Sequence, residues 1–384
     1  MATQSKFDWR NGVLVLVSIL FTVGFIELIL RMVLSTSQSL LVTQQQDRRF
    51  IERNAYWGPW HYPNNRVRHI KTCFDAVYET NSLGLKSEEL DPERTNIILL
   101  GDSYLEGYGT SNDESIAYFM DSLSGAKYNF MPFGSSGGFG TVNQYALYEN
   151  FARYYETDLV ILFWLNYNDP WDNLNAIHRG LIDEDGQFLF KRTSSLEEVA
   201  HLLTEMGEAE TTDKQTLYAL GLAKIGFKTL QNASQYWTNI KGNFKDAIGY
   251  IYASHEPEQL TQAYVLSEQV LQALNQAVKR DSANLLLVNL FDPYQVDEGW
   301  LQVMSEKLDT PTDPLAPNQR IEEICKQQGI AYLSLYEPTM QEIRSKDMNF
   351  PYFNFSCDNH LTKKGNLWVA KLVSEHLKSQ QLLD

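Results

Sequence analysis

Asn96 to Thr110 reads NIILLGDSYLEGYGT. Its opening is a short apolar, partly β-branched run closed by Gly101, the pattern of a strand buried on both faces. The same pattern recurs at Leu159–Trp164 (LVILFW), Leu285–Leu290 (LLLVNL) and Ile330–Leu335 (IAYLSL), with helical periodicity between the runs. Strands that are apolar on both sides and separated by helices predict a parallel α/β sheet. Ligands of such sheets bind beyond the carboxyl ends of the strands. Gly101-Asp102-Ser103 falls at that place, where the chain turns toward a helix and the Ser103 N–H lies at a helix start. A plain strand–turn–helix corner reads the same way, so the serine gains meaning only from partners elsewhere.

A serine nucleophile needs a base, because a hydroxyl is a poor nucleophile at neutral pH. Of the seven histidines, His360 alone has an Asp two residues before it, Asp358, and a helix signal just after it. Thr362 suits an N-cap, and Leu367, Ala370, Val373 and Leu377 make an apolar stripe behind it. A loop entering a helix there can present the imidazole to Ser103 while the carboxylate orients it. A developing oxyanion needs donors. The segment Gly134-Ser-Ser-Gly-Gly-Phe-Gly140 frees backbone N–H groups for close approach. It lacks the order and the lysine of a phosphate loop. The segment Asn166-Tyr-Asn168-Asp169 closely follows the second apolar run, where a side-chain amide can donate. Each segment taken singly reads equally well as a polar turn.

The chain has 384 residues and a formal charge of −16, which argues against a nucleic-acid partner and against polybasic attachment to a membrane surface. Cys73, Cys325 and Cys357 show no C-x-x-C spacing, so a zinc site is not expected, and any one disulfide leaves a thiol over. Val13 to Leu34 supplies roughly the 20 apolar residues that a membrane-crossing helix needs. Glu27 and Arg31, four apart within it, share a helix face and can pair. The apolar run exceeds a signal-peptide core and no A-x-A site follows, so a retained single-pass anchor is expected. The expected organisation is a cytoplasmic tail and transmembrane helix over residues 1–35, a membrane-proximal stalk over 36–95, and a catalytic domain over 96–384 with a helical insertion at about 174–281. Inside the insertion, Ser195 to Glu198 fits a capping box, and Leu260, Tyr264, Leu271, Leu274 and Val278 lie at helical spacing. Asn232-Ala-Ser234 matches a glycosylation sequon. Tyr218, Tyr236, Trp237, Tyr250 and Tyr252 are candidates for stacking on sugars, with burial in a core as the plainer reading.

Taken in order, the blocks GDSYLEGYG, GGFGT, NYNDPWDN and CDNHLTKKG resemble those of the SGNH (GDSL-like) hydrolase superfamily. ETNSLGLKSEEL before the first strand, and ELILR within the apolar span, look like the membrane-anchored members of bacterial envelopes. The likeness covers most of the chain and the helical insertion only loosely. It implies a flavodoxin-like three-layer α/β/α domain outside the membrane. Catalysis would fall to Ser103, His360 and Asp358, with the N–H groups of Ser103 and Gly138 and the amide of Asn168 as the oxyanion hole. Asp102, Gly137, Asn166 and Asp169 become substrate-contact candidates. Neither cofactor nor metal is implied. The acyl-serine could pass to water or to a sugar hydroxyl, which makes the chain an esterase or an O-acetyltransferase acting on envelope or exported polysaccharide, with a membrane-bound acyltransferase as the implied partner. A lipid esterase or thioesterase, and a non-catalytic glycan-binding assembly protein, are the alternatives. Three departures stand out. Asn166 occupies a position where many relatives have glycine. Asp358 precedes His360 by two residues, not the three common among GDSL esterases. Adjacent glycines leave Gly137 a rival to Gly138.

Overall fold

The computed structural model describes residues 9–36, 50–71, 73–183, 185–208, 243–348 and 350–382. The chain divides into two compact units, residues 1–42 with 211–243, and residues 43–210 with 244–384. The first contains helix α1 (Trp9–Thr36), whose Arg10–Leu28 stretch is long and apolar enough to cross a membrane. The Arg31 side chain, the sequon at Asn232 and the aromatics Tyr218, Tyr236 and Trp237 lie outside the described residues.

The second unit begins with two antiparallel hairpins, β1 (Ile51–Asn54) with β2 (Gly58–His61) and β3 (Arg66–Lys71) with β4 (Phe74–Glu79). A five-stranded parallel sheet follows, made of β5 (Thr95–Gly101), β6 (Tyr128–Gly134), β7 (Thr157–Leu165), β8 (Asn284–Leu290) and β9 (Ala331–Ser334). Its spatial order is β6-β5-β7-β8-β9, the 2-1-3-4-5 arrangement of flavodoxin-like sheets. After α1, the helices among the described residues are α2 (Ser103–Glu106), α3 (Ile116–Ser124), α4 (Thr141–Asn150), α5 (Asp169–His178), α6 (Leu196–Glu208), α7 (Asn243–Tyr252), α8 (Glu258–Arg280), α9 (Glu298–Leu308), α10 (Ala316–Gln328), α11 (Tyr336–Ser345) and α12 (Lys363–Ser379).

Strand residues alternate between two cores, as a pleated sheet covered on both faces requires. Ile98, Leu100, Val160 and Leu162 pack with α4, α8 and α10 on one face. Ile97, Leu99, Ile161 and Phe163 pack with α3, α11 and α12 on the other. The result is a three-layer sandwich with Gly101, Gly134 and Leu165 at one common end of the sheet. Thr362 caps α12 as expected by accepting from the Gly365 N–H, and Ala370, Val373 and Leu377 are buried while Leu367 is exposed.

Four points of the sequence reading differ from the structure. Strand β6 was not among the apolar runs, because Asn129 and Pro132 interrupt it. It is an edge strand, where a residue without an N–H is tolerated. The described part of the expected stalk is not a separate extension. Trp57 and Trp60 are fully buried, and Trp60 stacks on Phe133 of β6 with ring centroids 6.1 Å apart. Burying side chains of this size stabilises the unit by roughly 1.5–3 kcal/mol each, and residues 43–210 fall in one compact unit with residues 244–384. Within the helical insertion, α8 packs its buried stripe onto the sheet and against α4 and α5 as the crossover helix leading to β8. Ser195 does cap α6 by accepting from the Glu198 N–H, but the Glu198 carboxylate turns to Ser194 in place of closing the box.

Candidate active site

The turn that carries Ser103 is built by local rules. β5 ends at Gly101, and the Asp102 carboxylate caps α2 by accepting from the Tyr104 N–H at 2.8 Å. Ser103 is therefore the first residue of a short helix at the carboxyl end of the central strands, and it is partly exposed. Gly107 ends that helix at φ +71, in the left-handed region that glycine enters without cost.

The loop before α12 brings the other partners. His360 Nε2 lies 2.7 Å from Ser103 Oγ, and His360 Nδ1 is hydrogen-bonded to Asp358 Oδ1. The same carboxylate oxygen accepts from the His360 N–H at 3.1 Å, which fixes the pair as one rigid element despite its two-residue spacing. The geometry is that of a hydroxyl, an imidazole and an orienting carboxylate in series. The ring of Tyr108 lies against His360 at a centroid distance of 4.4 Å.

Asn168, at the start of α5, donates its amide to Asp102 Oδ2 at 2.8 Å. An amide nitrogen carries two N–H bonds, so this contact orients the group and leaves one donor over. Burial raises the Asp102 carboxyl above its ordinary value, while the Asn168 amide and the Tyr104 N–H pull it back. Gly137 and Gly138 both take left-handed conformations, φ +89 and +77. Their carbonyls accept from two arginines, Arg53 at 3.0 Å on Gly137 and Arg179 on Gly138.

The remaining candidates are not brought to the surface of the site. Asn166 is fully buried, accepting from Trp164 Nε1 at 3.0 Å and donating to Asn318 at 2.9 Å, so both ends of its amide serve the core. Asp169 is also fully buried and accepts from the Leu165 N–H at 2.6 Å; burial first, and the charge of Asp102 second, hold its carboxyl well above the usual range. Asp102 is buried too, with its carboxylate accepting from the Asn168 amide. Tyr252 is a core residue bonded to Asp292, not a sugar platform.

Two features escaped the sequence reading. Cys73, in the β3–β4 turn, forms a disulfide with Cys357, next to Asp358, across 284 residues of chain, while Cys325 is a buried free thiol. Lys86 is buried, and its ammonium donates to the carbonyls of Gly107 (2.7 Å) and Thr110 (2.5 Å) while resting on the Tyr78 ring. It thereby grips both ends of the segment that carries Tyr108. Near it, His61 Nε2 stands 3.8 Å from Glu106, an ion-pair distance too long for a hydrogen bond. Burial alone would raise Glu106, but His61 and Lys86 hold it below its ordinary value. The only sequence signal for Lys86 was the block ETNSLGLKSEEL.

No protein-family model matches the chain, and no curated protein matches it. Among solved structures it is similar to a GDSL-like lipase from Bacteroides thetaiotaomicron, at 8% identity over 76% of this chain and 92% of that one, with a TM-score of 0.34. It is also similar to a structure from Desulfitobacterium hafniense ascribed to the G-D-S-L lipolytic family (12% identity, 73% and 99% coverage, TM-score 0.35). LAE5, an α/β hydrolase enzyme from the metagenome of Lake Arreo, matches at 10% identity, 73% and 95% coverage and a TM-score of 0.38. Superpositions this loose carry no weight for function, for which the geometry above is the ground.

Proposed function

We propose that this chain is a serine esterase or O-acyltransferase of the SGNH type, anchored in a membrane by α1, acting on acetyl esters of extracytoplasmic polysaccharide through an acyl-serine intermediate. The observation that carries the reading is the series Ser103 Oγ, His360 Nε2 and Nδ1, and Asp358, standing beyond the carboxyl ends of a parallel sheet. Ser103 Oγ attacks the ester carbonyl as His360 takes its proton, and His360 then returns that proton to the leaving alcohol. Asp358 holds the proton on Nδ1 and stabilises the imidazolium. The second N–H of Asn168, with the backbone N–H groups of Ser103 and Gly138, receives the charge that develops on the carbonyl oxygen. Water or a sugar hydroxyl then resolves the acyl-enzyme by the reverse sequence. The Cys73–Cys357 disulfide supports an oxidising compartment for the folded unit, since such bonds seldom persist in the cytoplasm.

The test is fluorophosphonate labelling of the full chain in detergent, followed by acyl-chain preference on p-nitrophenyl esters. Labelling should vanish in Ser103→Ala, with turnover lowered by at least ~10³-fold, because the three groups act as a unit. Acetate should be preferred. An optimum at acyl chains of about eight carbons or more would favour a lipid esterase, since each buried CH₂ contributes ~0.8 kcal/mol only in a long apolar pocket. A wild-type chain that neither labels nor turns over any ester would leave the glycan-binding alternative.

A further inference from the structure

Arg53 and Arg179 come from opposite parts of the fold, one from β1 in the N-terminal hairpin and the other from the end of α5. Both guanidinium groups converge on consecutive residues of one loop, the carbonyls of Gly137 and Gly138. That loop leaves β6 at the same end of the sheet as Ser103, because Gly134 pairs in register with Gly101. A Cβ on Gly138 would collide with the Arg179 guanidinium, so the glycine lets the cation lie directly over the backbone. Arg179 also stands 3.7 Å from Asp172, whose carboxyl in turn feels the charge of Asp102 beside the nucleophile. The Arg179 side chain keeps 28% of its surface exposed, and Arg53 is exposed as well.

A guanidinium has five N–H donors in a planar fork, and its contact with a glycine carbonyl spends only part of them. Two such forks on the glycine loop after β6 concentrate positive charge in a chain whose formal charge is −16. Their geometry suits a planar or tetrahedral oxyanion. Asp172 balances part of the Arg179 charge.

We propose that Arg53 and Arg179 form an anion-recognition pair that makes the enzyme selective for acyl esters on carriers bearing a carboxylate or phosphate next to the ester, an inference that rests on the esterase reading above. The first hairpin thus supplies a specificity residue to a site whose reacting groups all come from loops beside the five-stranded sheet. The test uses the full chain in detergent and two chromogenic acetates of similar leaving-group reactivity, neutral 4-nitrophenyl acetate and anionic 3-carboxy-4-nitrophenyl acetate. The ratio of their kcat/KM values is read within each variant, so that a general loss from a disturbed glycine loop cancels. Wild type should prefer the anion by about tenfold or more at low salt, the gain expected of a charge-assisted hydrogen bond, and lose that preference as salt rises. Arg53→Gln and Arg179→Gln should each lower the ratio, the double variant should bring it near one, and Arg53→Lys should keep part of it. A wild-type ratio near one, or a ratio that both glutamine variants leave untouched, overturns the proposal. Competition by glucuronate, inorganic phosphate and glucose separates the two anions, and inhibition by glucose equal to that by both anions also overturns it. If neither ester turns over and Ser103 does not label, the esterase reading fails by itself. Equilibrium dialysis of the same three compounds against wild type and the double variant still decides the anion site.

Discussion

The turn that carries Ser103 and the loop that carries His360 end within hydrogen-bonding distance of each other, yet they are held by different means. The turn depends on its neighbours in sequence. The Asp102 carboxylate caps the Tyr104 N–H, the Asp102 carbonyl accepts from Glu106, and Gly107 closes the helix. The loop is tied both to itself and to distant elements. Its Asn359 carbonyl accepts from Tyr104 Oη and from Asn354, and the Asn359 amide donates to Tyr294. Cys357 is tied to the β3–β4 hairpin, whose Phe74 packs on Phe355 with ring centroids 5.0 Å apart. A strand–turn–helix corner comes ready-made from local structure. The irregular loop that presents the imidazole has bonds of its own, from the Phe355 N–H to the His360 carbonyl and from the Thr362 N–H to the Phe353 carbonyl, and adds to them ties from elsewhere in the chain.

Three changes would sharpen or break this contrast. The largest effect is expected at Asn168, which is bonded to the serine side through Asp102. Asn168→Ala should lower kcat by ~10²–10³-fold with little change in KM, because the amide acts on charge that appears only in the transition state. A change confined to KM, measured with p-nitrophenyl acetate, would make it a substrate-binding residue. Next is the tether of the histidine loop. Cys73→Ser should lower kcat about tenfold or more through a misplaced imidazole and cost roughly 2–4 kcal/mol of stability. Undiminished turnover in the variant, or in wild type treated with reductant, would show that Asn354, Tyr104 and Tyr294 suffice. The smallest effect concerns Lys86, which grips the far end of the serine turn. Burial pushes its ammonium from 10.5 down to about 7, against the opposite pull of Glu106 and Glu114. The folded value lies below the unfolded one, so between them the unfolded chain binds the proton and stability rises with pH. From about pH 7 to about pH 9, below the tyrosine range, this group should add at most about 1.4 kcal/mol per pH unit. Chemical denaturation of wild type and Lys86→Met across that window should show the increment in wild type alone. Parallel curves would place the Lys86 titration elsewhere.

The four apolar runs and the helical periodicities between them were legible because burial on both faces of a strand, or along one stripe of a helix, imprints a local period. β6 was not, since Asn129 and Pro132 break the run and only an edge position accommodates them. The hairpins of residues 51–79 were obscured for a related reason. Their strands are short, and β4 alternates buried and exposed residues over only six positions. The chemical blocks could be found because each sits at an element boundary in an order that resembles one superfamily. The resemblance singles out Ser103, His360, Asp358 and Asn168 within those blocks, but the full burial of Asn166 and Asp169 could not be read from them.

Sequence by itself determined the alternation of strand and helix, the apolar N-terminal helix, and the four segments from which a serine, a histidine, an acid and an amide could be drawn. Tertiary structure alone decided that Asn168 reaches Asp102 while Asn166, two residues earlier, is spent on Trp164 and Asn318. It alone paired Cys73 with Cys357 and brought Arg53 and Arg179 to one loop. The physical reason is that periodicity records burial, which is a property of each element's own surface. The direction of a polar side chain is set by partners that arrive from anywhere in the chain.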